Sequence, residues 1–508
     1  MKITIINFGA LTSKPYAFKA RSWELRNTES IDLFDSLCSN VRIDIRGSEI
    51  MRILPINNDL INEEWISDKA RYAYDGLNRE RFINPMIKKD KIFIQCSWKN
   101  ALNFIKNTIY STPFKNFIIN TGNFNDLESL TTINEFSKNI IKIIRPTINY
   151  NIKKNADFQE YYLLNDNIFN VTGNKVFLLV GVNLRLENPI LNIRLKKLSN
   201  NKNVLIGYIG SRSDHNLNLF HIGNNFSKLK EVLSGKHNFS ALITNFLKKD
   251  LQNSKIKNAF KNKISIIFGN EIIQTGNHIQ LIESIKQIPT LSNKVDFNVI
   301  ENFSGKINTL ETGLFNYNNI NLAEKSIFYL LNTEWIENYK NSDFVIFQGH
   351  HNTNIRNKID VILPNVVWTE KSGLYLNCFG FLQKSQFVML PPVNCRNDWK
   401  ITLLLLHSLF NLNWKKTTTS KKVLTAIHSK LDKTSPSLLN LLGKSKFKSI
   451  WAKNIIYKNN LKKINETFDM PFKSFIHNYY KITSIEKASK LMDKCSKAFS
   501  DKKTNFFN

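Results

Sequence analysis

The clearest pattern lies between Val41 and Leu54. Val41, Ile43 and Ile45 alternate with Arg42, Asp44 and Arg46, and beyond the turn signal Gly47–Ser48 the positions Ile50, Arg52 and Leu54 lie two apart. Period-two spacing on both sides of a turn predicts a β-hairpin with one half-buried face. After Pro55 and a polar run, Asn62 or Ser67 can cap a helix through Glu63–Tyr74, with Gly76 near its end. We assign residues 1–90 to a small N-terminal domain of hairpin plus helix.

From about Ile92 the period changes. Ser97 can cap a helix whose apolar positions Trp98, Leu102, Ile105 and Ile109 recur at three- and four-residue spacing. Phe117–Asn120 reads as a short strand and Leu127–Ile144 as a helix. Val176–Val180, closed by Gly181, is a continuous apolar run of the kind buried on both faces of a parallel sheet. Glu187–Leu198 is helical, Val204–Ile209 is the next strand, and the rhythm returns at Ile264–Phe268, His278–Ile288, Asp296–Val299, Glu334–Tyr339, Asp343–Gln348 and Asp360–Leu363. Strands alternating with helices predict Rossmann-like βαβ units around a mostly parallel sheet, an α/β body over residues 91–414. Tyr375–Val388 reads as a β excursion and Asp398–Phe410 as a strongly apolar helix. Residues 415–508 are rich in Lys, Ser, Thr and Asn and are assigned to a mostly helical tail.

A chain of 508 residues is long enough for two or three domains. Its longest apolar stretches, such as Leu403–Leu406 and Val176–Val182, fall short of the roughly 18–20 residues a spanning helix needs, so direct membrane insertion is not expected. The net charge of +30 raises a nucleic-acid partner, but the lysines are spread in short runs and rise together with Asn, Ile and Phe. We read the charge as a solvated surface coloured by codon bias and expect no nucleic acid. The N-terminus lacks the long apolar core of a secretory signal.

The polar motifs are sparse. Leu178–Pro189 has the form of a nucleotide-binding strand–turn–helix but lacks GxGxxG, and Glu187 early in the helix would repel an anion at the positive end of the dipole. His350–His351 is the most suggestive pair, yet neighbours on a strand point to opposite faces, which predicts local hydrogen bonding and no joint chelation. Glu63 with Glu64, and Asp126 with Glu128, read as solvated carboxylate pairs. The five cysteines, Cys38, Cys96, Cys378, Cys395 and Cys495, contain no CxxC, and their spacing describes neither a disulfide framework nor a metal site; buried, reduced thiols are expected. No catalytic residue, cofactor-binding residue or metal ligand is assigned.

Several segments carry a resemblance. Ala20–Pro55, Asn62–Met86 (NEEWISDKARYAYDGLNRERFINPM), Tyr162–Asn165, Phe177–Lys197, FQGHH, Asp360–Asn377 and Pro391–Lys400 resemble, in order, the large iron–sulfur subunit of respiratory complex I. The resemblance covers about Gly9 to Lys400. It implies a molybdopterin-oxidoreductase-like body, with the N-terminal domain as a remnant of the junction with the iron–sulfur part. Relatives read Cys-Pro-Val before GALTSKPYAF, where the cysteine ligates a cluster; here Ile6, Asn7 and Phe8 stand there. Relatives also continue from the position of Asn377 as Asn-x-Glu-Gly-Arg, whereas here Cys378, Phe379, Gly380 and Phe381 follow. The lost arginine removes a donor that an anionic pterin would want.

These departures imply a non-redox, structural half of a split subunit of NADH:ubiquinone oxidoreductase. No cofactor is then expected in this chain, and iron–sulfur clusters are expected in a partner chain, the cluster-bearing N-terminal half of the same subunit. Other peripheral-arm subunits are further expected partners. The implied location is the matrix side of the mitochondrial inner membrane, with the chain organelle-encoded. Arg21, Trp23, Glu24, Glu29 and Asp32 form the expected docking surface, a dense mixture suited to an interface. The rival reading is a free-standing molybdopterin-dependent oxidoreductase of the formate-dehydrogenase type.

Overall fold

The computed structural model describes residues 13–140, 145–149, 159–165, 168, 175–200, 204–253, 264–273, 282, 295–314, 325–333, 340, 343–352, 354, 356–410, 425, 427–429, 472–474, 476 and 478–506. The helical segment expected at Glu334–Tyr339, that at His278–Ile288 apart from Ile282, the positions Ile6–Phe8 and most of the expected tail lie outside them.

The alternation at residues 41–54 folds as read. β1 (Arg26–Ile31), β2 (Asn40–Arg46) and β3 (Glu49–Pro55) form an antiparallel three-stranded sheet. Gly47 (φ +61°) makes the β2–β3 turn. Val41, Ile43 and Ile45 face a core closed by Phe34, Tyr74 and Leu77. Of the two candidate caps, Ser67 serves: its side chain accepts from the Ala70 N–H and starts a short helix, Asp68–Tyr72. Asn62 instead donates to the carbonyls of Ile56, Glu63 and Trp65. Helices Ser484–Ala488 and Lys490–Phe506 pack on this unit. Ile485 and Met492 enter its core, and Lys69 pairs with Glu486 at 3.4 Å with both side chains buried.

The α/β body has two sheets. The larger comprises β4 (Met86–Lys89), β5 (Ile92–Gln95), β6 (Asn116–Thr121), β7 (Arg145–Asn149) and three later strands. The smaller, all parallel, is β8 (Lys175–Val180), β9 (Val204–Ile209), β10 (Phe220–Gly223), β11 (Ile264–Phe268) and β12 (Val295–Val299), in the order β10-β9-β8-β11-β12. The chain then returns to the larger sheet with β13 (Ser326–Leu331), β14 (Phe344–Gly349) and β15 (Val361–Pro364), giving β5-β4-β15-β14-β13-β6-β7. One parallel unit is thus inserted into another between β7 and β13. A hairpin, β16 (Leu374–Leu376) and β17 (Leu382–Lys384), supplies the β excursion. β6, β8, β13 and β14 are almost wholly buried, as central parallel strands require.

Each sheet has a point where the strand order reverses, between β6 and β13 in the larger and between β8 and β11 in the smaller. The crevice outside the carboxyl ends of the strands at such a point is where this kind of sheet binds ligands.

Gly76 marks how tightly the last helices sit. A Cβ there would lie 2.2 Å from the Ile485 carbonyl oxygen. Gly76→Ala is expected to cost about 1–3 kcal/mol and to loosen residues 484–506. A lowered Tm together with earlier proteolysis in that segment is the expected outcome; an unchanged Tm and cleavage pattern would contradict the packing.

Candidate functional site

At the switch point of the larger sheet, the loops after β6 and β13 bring in Asn125, Asp126 and Asn332, while Gln348 lies near the end of β14 and Asn365 directly follows β15. The helix Asp398–Phe410 points its first turn at the same place. Lys371 fills the centre. Its Nζ donates to Asp126 Oδ1 and to Asp398 Oδ2, both at 2.8 Å, and all three side chains are at most 4% exposed. Burial alone would lower the Lys371 ammonium, but the two carboxylates hold it well above the ordinary lysine range. Asp398 Oδ1 also accepts from Gln348 Nε2 at 2.9 Å and from the Asn365 amide, and Gln348 accepts from the Tyr329 hydroxyl. Asn332 carries φ +55° and donates to Asn125 Oδ1 at 3.0 Å. The chain's own donors and acceptors pair with one another across this space.

The smaller sheet shows the same device with a carboxyl group. Gly181 (φ +58°) turns the chain after β8, and Glu187 folds back so that Oε1 accepts from Asn183 N–H at 2.9 Å and Oε2 from Asn270 N–H at 3.1 Å. These are the amides at the carboxyl ends of β8 and β11 that could hold an anion. Burial pushes the Glu187 carboxyl up to about 8, the two N–H bonds oppose the rise, and Glu271 and Glu301 add to it. Glu271 accepts from the Ser211 hydroxyl at 2.7 Å. The sequence placed Glu187 as a group that would repel an anion; the structure shows it occupying the anion's place.

His350 and His351 are both buried, and their rings meet edge-on with Nδ1 atoms 2.5 Å apart. The expectation of opposite faces fails because the pair lies just past the end of β14, where strand alternation no longer holds. The expected local hydrogen bonding is present. His351 Nε2 lies 2.8 Å from the Gly76 carbonyl and must donate to it, so His351 Nδ1 accepts from His350 Nδ1–H. Burial pushes both imidazoles down, His351 to about 3, which keeps them neutral. Arg81 beside them clasps Glu370 through two 2.9 Å bonds, joining the segment ahead of β4 to the segment ahead of β16.

Asp126 and Glu128 are corrected from solvated to buried, at 2% and 4% exposure, because Lys371 neutralises the first and the Leu374 N–H and His428 satisfy the second. Glu63 meets Arg194 and Lys197 at the surface. Among the expected docking residues, Arg21, Trp23, Glu24 and Glu29 are exposed. Trp23 is 79% exposed with the Arg21 guanidinium 6.0 Å from its ring, and Glu24 pairs with Arg46 at 3.3 Å. Asp32 is a correction: it is 1% exposed and accepts from the Phe34 N–H at 3.0 Å, so it shapes the turn after β1 and cannot meet a partner. All five cysteines are free; Cys38, Cys378 and Cys395 are buried, while Cys96 and Cys495 are partly exposed.

Two outcomes follow from these crevices. Lys371→Met leaves two buried carboxylates facing each other and is expected to cost about 3–5 kcal/mol, whereas adding Asp126→Asn and Asp398→Asn should recover much of it. Urea unfolding measures both, and equal losses in the single and triple variants would contradict the ion-pair assignment. Glu187, whose folded value of about 8 lies above the unfolded one, stabilises fully below about pH 4.5 and loses that contribution as pH rises toward 8. Glu187→Gln should therefore flatten the fall in stability over that window; an unchanged slope would contradict it.

Comparison with known proteins follows the same outline. The family model described as molybdopterin oxidoreductase matches residues 81–407, and that of the NADH-ubiquinone oxidoreductase NDSU1/NuoG-like 4Fe-4S domain matches residues 25–75. The NADH-ubiquinone oxidoreductase 75 kDa subunit of Reclinomonas americana is 35% identical over 98% of this chain and 72% of its own length. The mitochondrial NADH dehydrogenase [ubiquinone] iron-sulfur protein 1 of Solanum tuberosum is 32% identical over 97% of this chain and 64% of its own. The 75 kDa subunit of Acanthamoeba castellanii is 33% identical, covering 99% and 71%.

The match at residues 25–75 overturns the expectation that this chain holds no cofactor and that the clusters lie in a partner chain: a domain of the 4Fe-4S type is in this chain. That expectation rested on missing cysteines, which do not report the domain's fold. As for the donors, a cluster takes thiolates, and Cys38 is the one cysteine between residues 25 and 75. Burial pushes its thiol well up, and among the described residues no three His, Cys, Asp or Glu side chains form a metal-holding group. The described residues do not make a thiolate cradle. A pterin fits no better, since Glu187 and the Lys371 pairs already take the groups that would hold an anion. With relatives matched along nearly its whole length and the body recognised over residues 81–407, the chain belongs to the family of the 75 kDa iron–sulfur subunit of NADH-ubiquinone oxidoreductase.

Proposed function

We propose that the chain serves as a structural member of the peripheral arm of NADH:ubiquinone oxidoreductase, on the matrix side of the mitochondrial inner membrane. Its α/β body holds neighbouring subunits in register while electrons travel from NADH to quinone along centres outside that body. The observation that carries this is the filling of both switch-point crevices by the chain's own buried groups, Lys371 with Asp126 and Asp398 in one and Glu187 in the other. A body built to turn over substrate on a bound pterin keeps that space open. Among the described residues no helix is long and apolar enough to cross a membrane, so the proposed attachment runs through protein neighbours.

Within this reading the exposed Arg21, Trp23, Glu24 and Glu29 contact a neighbouring chain. Trp23 is the anchor, because a large exposed ring with a guanidinium beside it has the composition of an interface hot spot.

Native isolation of the tagged chain from mitochondria tests the whole reading. Peripheral-arm subunits without stoichiometric molybdenum or tungsten are expected; a lone chain carrying either metal would contradict it. Arg21→Ala with Trp23→Ala should weaken association by at least about tenfold, read as subunit loss in native gels, and unaltered co-purification would remove this surface from the proposal.

A further inference from the structure

The larger sheet ends at β5. This strand joins β4 through the two-residue turn Asp90–Lys91, with φ of +47° and +69°. The pairs Lys89↔Ile92, Lys88↔Phe93, Ile87↔Ile94 and Met86↔Gln95 follow, and the Cys96 N–H donates to the Pro85 carbonyl at 2.9 Å. Bonded and non-bonded pairs alternate along an antiparallel ladder. The Cys96 bond fixes the phase, so Ile92 and Ile94 turn their backbone groups toward β4 while Phe93 and Gln95 turn theirs outward. Among the described residues no strand pairs with that outer side.

The side chains give the edge its character. Ile92 is 69% and Ile94 50% exposed, on the same face as buried Ile87 and Val361, so an apolar layer runs past the last strand into solvent. The other face, with Phe93, packs on the core and lies under the Arg356 guanidinium at 5.3 Å. The turn end is basic in sequence, with Lys88, Lys89 and Lys91 around Asp90, and Lys88 donates to the Asn357 carbonyl, between Arg356 and Lys358, and lies near Asp360. At the far end the Asn84 amide donates to Gln95 and accepts from Asn394, which places exposed Val393 beside the strand.

We propose that the outer edge of β5 receives an extended, acidic segment of a neighbouring chain, added as a further strand. The unpaired N–H and C=O groups of Phe93 and Gln95 supply the ladder. Ile92 and Ile94 supply the apolar contact, with alternate apolar residues of the incoming segment lying against them. Its carboxylates meet the lysines at the turn. A second copy of this chain is disfavoured because it would bring the same lysines to the same edge, the arrangement by which exposed edges resist self-pairing.

The assembly reading above enters only in saying where the neighbour comes from. The test uses the assembled complex with a photo-crosslinking residue at position 94 and the variants Gln95→Pro and Gln95→Ala. Proline removes the outward Gln95 N–H without touching the β4 ladder, while both variants lose the Asn84 contact. A cross-link from position 94 to an acid-rich segment of another subunit is expected. Retention of that subunit should fall about tenfold in Gln95→Pro, as loss of an interface hydrogen bond and its neighbours implies, and stay near the parent level in Gln95→Ala. Cross-links confined to this chain, to a second copy of it or to a basic partner would overturn the proposal. So would no cross-link in an intact complex, or equal loss in both variants. Failure of the chain to co-purify with any complex I subunit would instead strike the assembly reading.

Discussion

The body is organised around one buried ion-pair cluster, Lys371 between Asp126 and Asp398. An ammonium placed among the ends of parallel strands carries a desolvation cost of several kcal/mol unless its partners are close and themselves hydrogen-bonded. Each partner here is tied to a different part of the fold. Asp126 precedes the helix Leu127–Ile140, Asp398 opens the helix Asp398–Phe410, and Lys371 precedes β16. The cluster can therefore form only when the loop after β6, the helix Asp398–Phe410 and the β16–β17 hairpin are all in place. Gln348, Asn365 and Tyr329 complete it from the sheet.

The same arrangement is what supports the proposed structural role. The topology offers a crevice at each switch point, and topology does not decide what fills it. In the larger sheet the crevice holds a paired lysine, and in the smaller it holds the carboxyl group of Glu187 on the backbone amides of Asn183 and Asn270. These internal pairs tie the strand ends of each sheet to the loops that cross them.

Much of the outline was legible from hydrophobic period. The hairpin at residues 41–54, the helix capped by Ser97, the buried strand Val176–Val180 and the apolar helix at Asp398 all follow from local spacing, and local spacing decides them in the folded chain. The division into two sheets was not legible, because an insertion between β7 and β13 changes which strands pair without altering any strand's own pattern. β4 and β5 escaped notice because their turn, Asp90–Lys91, uses two non-glycine residues at positive φ and lacks the usual glycine signal. The site was less legible still. Asp126 read as a solvated carboxylate because the lysine that neutralises it stands 245 positions away, and no local pattern singled out Lys371. Asp32 read as an interface residue because its burial depends on the turn after β1.

The claim that both crevices are structural is tested most directly by ligand binding to the purified, folded chain. Isothermal titration with a dinucleotide or a pterin should give no saturable heat and leave the Tm unchanged. Saturable micromolar binding, abolished by substitution of Lys371 or Glu187, would contradict it.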